Sequence, residues 1–136
     1  MNIKLIHVGI VVDDIDEASR LFEKLLNTKA GDVKSPPDGS MKGVMINFAD
    51  GSGIELIQPM DPKGPLANSM KDKGMGIHHV CFKVDNADEA LSNAAKSGFK
   101  LLHEKSMKSA MFDDHQIGFL NPESTKGILV EFLQEI

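Results

Sequence analysis

Residues 7–18 read HVGIVVDDIDEA, and residues 79–90 read HVCFKVDNADEA. At an offset of 72 the two stretches share His7/His79, Val8/Val80, Val12/Val84, Asp13/Asp85, Asp16/Asp88, Glu17/Glu89 and Ala18/Ala90. Identity at seven of twelve positions is an internal repeat, and a repeat decides the architecture before any local motif is weighed. A second match lies at the ends of the halves, where IELIQ (54–58) and VEFLQ (130–134) align at an offset of 76. Each copy carries a glutamate, Glu55 or Glu131. The duplication therefore doubles one histidine on the first strand and one glutamate on the last strand of each unit.

Outward from the first copy, IKLIHVGIVV (3–12) is rich in β-branched and apolar residues and reads as a strand buried on both faces. Asp14 is placed to cap a helix, with Glu17 three residues on. Ala18, Leu21, Phe22, Leu25 and Leu26 then form one apolar stripe, expected to face a sheet. The turn-rich loop 33–43 precedes two short strands, VMINF and GIELIQP, joined by ADGSG. The second half repeats the order: a strand over 77–84, an Asn86 cap, a helix to about Ser97, and strands near 99–103, 116–120 and 127–134. Each unit is thus β-α-β-β-β, giving an α+β class. The first runs over about 3–58 and the second over about 76–134. A linker, 59–75, holds a short helix around 65–73. Neither unit buries both faces alone, so the two are expected to pair their sheets around a cup-shaped, metal-binding cavity within a single domain, 1–136.

Composition excludes several classes. With 41% hydrophobic residues, 136 residues suffice for one core. The net charge of −5 is dispersed, leaving no electrostatic footprint for nucleic acid or an anionic membrane. The N-terminal residues do not read as a signal peptide, and no apolar run is long enough to span a bilayer. A single cysteine, Cys81, rules out an internal disulfide and fits a reducing cytoplasm. Tyr and Trp are absent, which disfavours a site built from stacked rings.

A carboxylate flanked by Ile54 and Leu56, or by Val130 and Phe132, needs a partner where burial alone would cost several kcal/mol. Strand alternation turns each histidine and each glutamate to one face, so His7, Glu55, His79 and Glu131 form a candidate divalent metal site with room for water or substrate. The register selects His79 over His78, which points the other way. Cys81 shares the face of His79 but reads as a packed strand cysteine. His103 and His115 have no repeat counterparts and read as surface or loop residues.

With those residues in place, the chain resembles the vicinal oxygen chelate superfamily, which includes glyoxalase I, extradiol dioxygenases and fosfomycin-resistance enzymes, and within it most nearly the methylmalonyl-CoA epimerase family. The likeness runs through IHVGIVVDDIDEASRLFEKLL, GIELIQP, GPLANSMKDKGMGIHHVCFKVDN and FLNPESTKGILVEF. The resemblance implies that His7, Glu55, His79 and Glu131 hold a cobalt, zinc, nickel or manganese ion. It also implies a small-molecule acyl-CoA substrate, a homodimer and interconversion of (2R)- and (2S)-methylmalonyl-CoA through a metal-stabilised enolate. Glu131 is then one of two bases. Some epimerases carry a second carboxylate in a Gly-Val-x-Glu stretch, and here Ile46 stands in its place. A glycine-rich loop of the family is replaced by SAMFDDHQ (109–116), where Asp113, Asp114 or His115 could take over a role. Two alternatives use the same fold: a glyoxalase-like lyase of glutathione hemithioacetals, whose ligand set Glu55 also suits, and a non-enzymatic binding protein.

Overall fold

A computed structural model of the chain describes residues 2–112 and 114–136. Seven strands and three α-helices are present among them, and the chain divides into two compact units. One is His7–His78; the other joins the residues up to Ile6 to His79–Ile136.

In the first repeat, β1 (Lys4–Val11) leads to α1 (Ile15–Leu26), β2 (Met41–Asn47) and β3 (Gly53–Pro59). β3 lies between β1, to which it is parallel, and β2, to which it is antiparallel. α1 begins where predicted: Asp14 Oδ1 accepts the Glu17 backbone N–H at 3.0 Å. The expected fourth strand is reduced to a single bridge between Lys34 and Gly43. Val12, Ile15, Val44, Ile46 and Leu56 form the core between helix and sheet, with Ala18 and Phe22 packed against it.

The apolar stripe of α1 is rotated from the expected one. Ile15 and Ser19 are its buried residues, whereas Leu21 and Leu25 are exposed. Ser19 fits inside because its hydroxyl donates to the Ile15 carbonyl at 2.7 Å, which satisfies the group that burial would otherwise penalise. Periodicity of apolar residues alone misses such a position. The start of β1 also departs from the doubly buried reading, since Ile3 and Leu5 are exposed.

The linker helix forms as predicted, as α2 (Pro65–Lys73). In the second repeat β4 (Gly76–Lys83) leads to α3 (Ala87–Lys96), then β5 (Met107–Lys108), β6 (His115–Phe119) and β7 (Leu129–Glu135). β7 runs parallel to β4 and antiparallel to β6, and β5 extends the edge. Asn86 caps α3 through the Glu89 N–H at 2.9 Å. The strand expected near 99–103 is only a bridge, Leu101 to Leu120, and the edge pairing moves to Met107–Lys108. Val84, Ala87 and Ala90 form the core here, with Phe132 packed against them.

The repeat contains one further device that the sequence reading passed over. Gln58 Oε1 accepts the Ile15 N–H, and Gln134 Oε1 accepts the Ala87 N–H, both at 2.9 Å. The glutamine that closes each IELIQ-type strand thus ties it to the first turn of its own helix, where backbone donors lack helical partners. Among the described residues no helix is long and apolar enough to cross a membrane.

Candidate metal centre

Strand register sets the first pair. Gly9 lies opposite Glu55 in the β1–β3 ladder, and His7, two residues earlier, points to the same face. His7 Nε2 stands 3.6 Å from Glu55 Oε1, and both side chains are buried. The second unit repeats this arrangement. Cys81 lies opposite Glu131 between β4 and β7, His79 precedes it on the same face, and His79 Nε2 stands 3.4 Å from Glu131 Oε1.

Burial singles these residues out. Among the described residues the buried polar or charged side chains are His7, Ser19, Glu55, His79 and Glu131. Ser19 is accounted for by its bond within α1. The four that remain are the predicted ligands.

The donor set suits a divalent ion. Imidazole nitrogen with carboxylate oxygen is the chemistry of zinc, cobalt, nickel and manganese sites. Two donors about 2.1 Å from one ion stand roughly 3.0 Å apart at a right angle and roughly 3.4 Å apart at a tetrahedral angle. The separations of 3.6 and 3.4 Å within the pairs lie close to that range and beyond the usual 2.7–3.2 Å of a direct N–H···O bond.

The face that carries Glu55 contains no second carboxylate on β2. Met45 pairs with Glu55, so Met41, Gly43, Met45 and Asn47 share its side of the sheet. Ile46 points the other way, fully buried in the α1 core. An apolar residue at this place fits its packing in that core. His78 is partly exposed and His103 exposed.

His115, expected on the surface or in a loop, is partly exposed and lies in a strand. It opens β6 on the side shared with Phe119 and Glu131, and its ring tilts against Phe112 with centroids 5.4 Å apart. Among the described residues its Nδ1 is buried with no hydrogen-bond partner, and Nε2 lies 3.8 Å from Asp114. Ser109 Oγ accepts the Met111 and Phe112 N–H groups, which folds the preceding loop into a tight turn. Nothing in the repeat could have flagged His115, because the first half has no equivalent. Asp113 lies outside the described residues.

Residues 6–119 match the profile of the Glyoxalase/Bleomycin resistance protein/Dioxygenase superfamily. The chain belongs to that superfamily. Within the superfamily its relatives include the mitochondrial methylmalonyl-CoA epimerase of Bos taurus, 29% identical over 132 residues, 96% of this chain and 74% of that protein. The ethylmalonyl-CoA/methylmalonyl-CoA epimerase of Cereibacter sphaeroides is 28% identical over 96% of this chain and 97% of its own length. A Streptomyces coelicolor methylmalonyl-CoA epimerase, solved in complex with 2-nitronate-propionyl-CoA, shares the α+β fold of the superfamily. It has a TM-score of 0.86 over 97% of this chain and 94% of that one, at 21% identity.

Proposed function

We propose that this protein interconverts (2R)- and (2S)-methylmalonyl-CoA with a divalent ion held by His7, Glu55, His79 and Glu131. Its kinship to epimerases along almost the whole chain makes it an isomerase acting on an acyl-CoA. The observation that carries the metal is burial: two imidazoles and two carboxylates are inside, one of each per half, in a family otherwise recognised by fold. Residues 1–136 then act as one domain to which both halves contribute equally. The reading extends to a homodimer and to a reducing cytosol, the latter in keeping with a single, buried cysteine, Cys81.

The chemical difficulty is the weak acidity of the α-hydrogen of a thioester. An ion in this site supplies a Lewis acid that offsets the negative charge developing as that hydrogen leaves. The protein's own residues do the rest. Glu131, fixed by β7 and held beside His79, is the carboxylate assigned to take the α-proton from one face in one direction and to deliver a proton to that face in the reverse direction. His7 and His79, whose Nε2 atoms face Glu55 and Glu131, would hold the ion. β2 contributes no titratable group on the side of Glu55, so the base for the opposite face comes from another element.

The decisive experiment follows C2 of methylmalonyl-CoA in heavy water by proton NMR, with cobalt-reconstituted protein. Wild type is expected to exchange the C2 hydrogen, and His79→Ala and Glu131→Gln to lose that exchange. A fully metal-loaded wild type that leaves the C2 hydrogen in place would overturn the reading. Because the Cereibacter sphaeroides relative's name also includes ethylmalonyl-CoA, the same assay with that thioester measures how wide an acyl group the site accepts.

A further inference from the structure

On each strand that carries a proposed ligand histidine, burial changes at that histidine. Along the ligand face of β1, Leu5 is 50% exposed, whereas His7 and Gly9 are buried. Along the ligand face of β4, Ile77 is 75% exposed, whereas His79 and Cys81 are buried. Leu5 and Ile77 are matched at the repeat offset of 72. Each lies two residues, about 7 Å of strand, before its histidine and on the same face. The usual order of a sheet face is thus reversed in both halves: the polar imidazole is inside, and the large apolar side chain next to it meets water.

We infer that Leu5 and Ile77 set the acyl-group selectivity of the site, as the apolar surface that receives the α-alkyl group of a malonyl-type acyl-CoA. This rests on the epimerase reading above and adds to it the residues that read the substrate. A lone exposed leucine is ordinary on a protein surface. Here the exposure recurs at the matched position of both halves, each time on the face of the histidine. The chain closes over each histidine and the residue two beyond it, but leaves open the residue two before it, so the open approach to each imidazole runs over Leu5 or Ile77. The neighbours define the occupant. It carries oxygen atoms for an ion held by the histidines and an apolar group within a bond or two of them. A 2-alkylmalonyl thioester has both, with carboxylate and thioester carbons on either side of C2 and the alkyl group on C2 itself. Covering the exposed leucine and isoleucine with that group is favourable, and the bulk of the two side chains limits how long the group can be.

The test compares C2 hydrogen exchange of methylmalonyl-CoA and ethylmalonyl-CoA by wild type and variants brought to equal metal content. Leu5→Ala and Ile77→Ala are each expected to raise the ethylmalonyl-to-methylmalonyl ratio of kcat/KM by about 10-fold, the lower end of what one methylene is worth in an apolar site. Leu5→Phe and Ile77→Phe are expected to lower that ratio. Because both side chains are exposed, these changes remove no core contact, and a merely structural loss would depress both thioesters alike. Unchanged ratios in all four variants would overturn the assignment. Unchanged ratios together with a shift from dimer to monomer in sedimentation would overturn it in favour of a second copy of the chain as the occupant. Wild type inactive toward both thioesters would overturn the epimerase reading itself, and this assignment with it.

Discussion

The first half sets Ile15 and Ser19 of its helix against Val44 and Leu56 of its sheet. At the matched positions the second half has Ala87 and Leu91, Gly118 and Phe132. Large and small are exchanged position by position on the helix: Ile for Ala, Ser for Leu. On the sheet Val gives way to Gly while Leu is replaced by a larger Phe. The exchange is forced at one point, because a Cβ on Gly118 would lie 2.6 Å from Leu91 Cδ1, well inside contact distance. Two halves of common plan thus solve the same packing problem with different side chains, while the polar residues that matter for chemistry stay matched. The comparison teaches that total volume between helix and sheet is constrained, and that the residue supplying it is free to move from one element to the other.

The largest expected effect breaks or sharpens the functional side of this comparison. Although Glu55 and Glu131 occupy matched places, only Glu131 is assigned a proton. Glu131→Gln is expected to lower turnover by about 10²–10⁴-fold, the usual contribution of a positioned acid or base. Glu55→Gln is expected to weaken metal binding while keeping turnover once the ion is restored at high concentration. Steady-state kinetics over a metal titration distinguishes the two, and equal, unrecoverable losses would mean that the halves share the chemistry evenly.

The packing exchange makes a prediction of intermediate size. Leu91→Ser leaves a cavity and is expected to cost about 2–5 kcal/mol. Gly118→Val overfills the same space and is expected to cost about 1–3 kcal/mol. Together they install the first half's pair in the second, and urea unfolding is expected to show a double variant more stable than the sum of the single losses, by about 0.5–3 kcal/mol. Strict additivity would show that the halves are not exchangeable at these positions.

The helix starts should respond alike. Removing either cap, Asp14→Ala or Asn86→Ala, is expected to cost about 1 kcal/mol by thermal or urea melts. Gln58→Ala and Gln134→Ala each strip an acceptor from a part-buried N–H, with a similar expected loss. A marked difference between the halves would mean that one helix is held chiefly by packing.

The smallest effect is a pH dependence of the second half. Asp88 accepts the Ser106 N–H at 2.7 Å, and that bond holds its carboxyl below the ordinary value of 3.8. A carboxyl depressed in the folded state stabilises above its unfolded value and loses that contribution as pH falls through the folded one. The urea midpoint of wild type is therefore expected to exceed that of Asp88→Asn near neutral pH, the gap closing below pH 3.8. A gap that persists in acid would assign the effect to the neutral hydrogen bond.

Much of this was legible because it is local or duplicated. Helix starts follow from Asp14 and Asn86, whose side chains bond within three residues. The choice of His79 over His78 follows from strand alternation alone. The rotated face of α1 escaped notice because a serine satisfied by its own helix behaves as an apolar residue. His115 escaped because its burial depends on Phe112 and on the turn held by Ser109, neither of which leaves a periodic trace.

By itself, then, the sequence determined the two-unit α+β plan and the four duplicated side chains, since period and repetition are carried by the order of residues. Tertiary structure decided which neighbours those side chains meet. Ladder register places Glu131 beside His79 and opposite Cys81 and sends Ile46 to the core. Such contacts join positions far apart in the chain, so no local pattern encodes them.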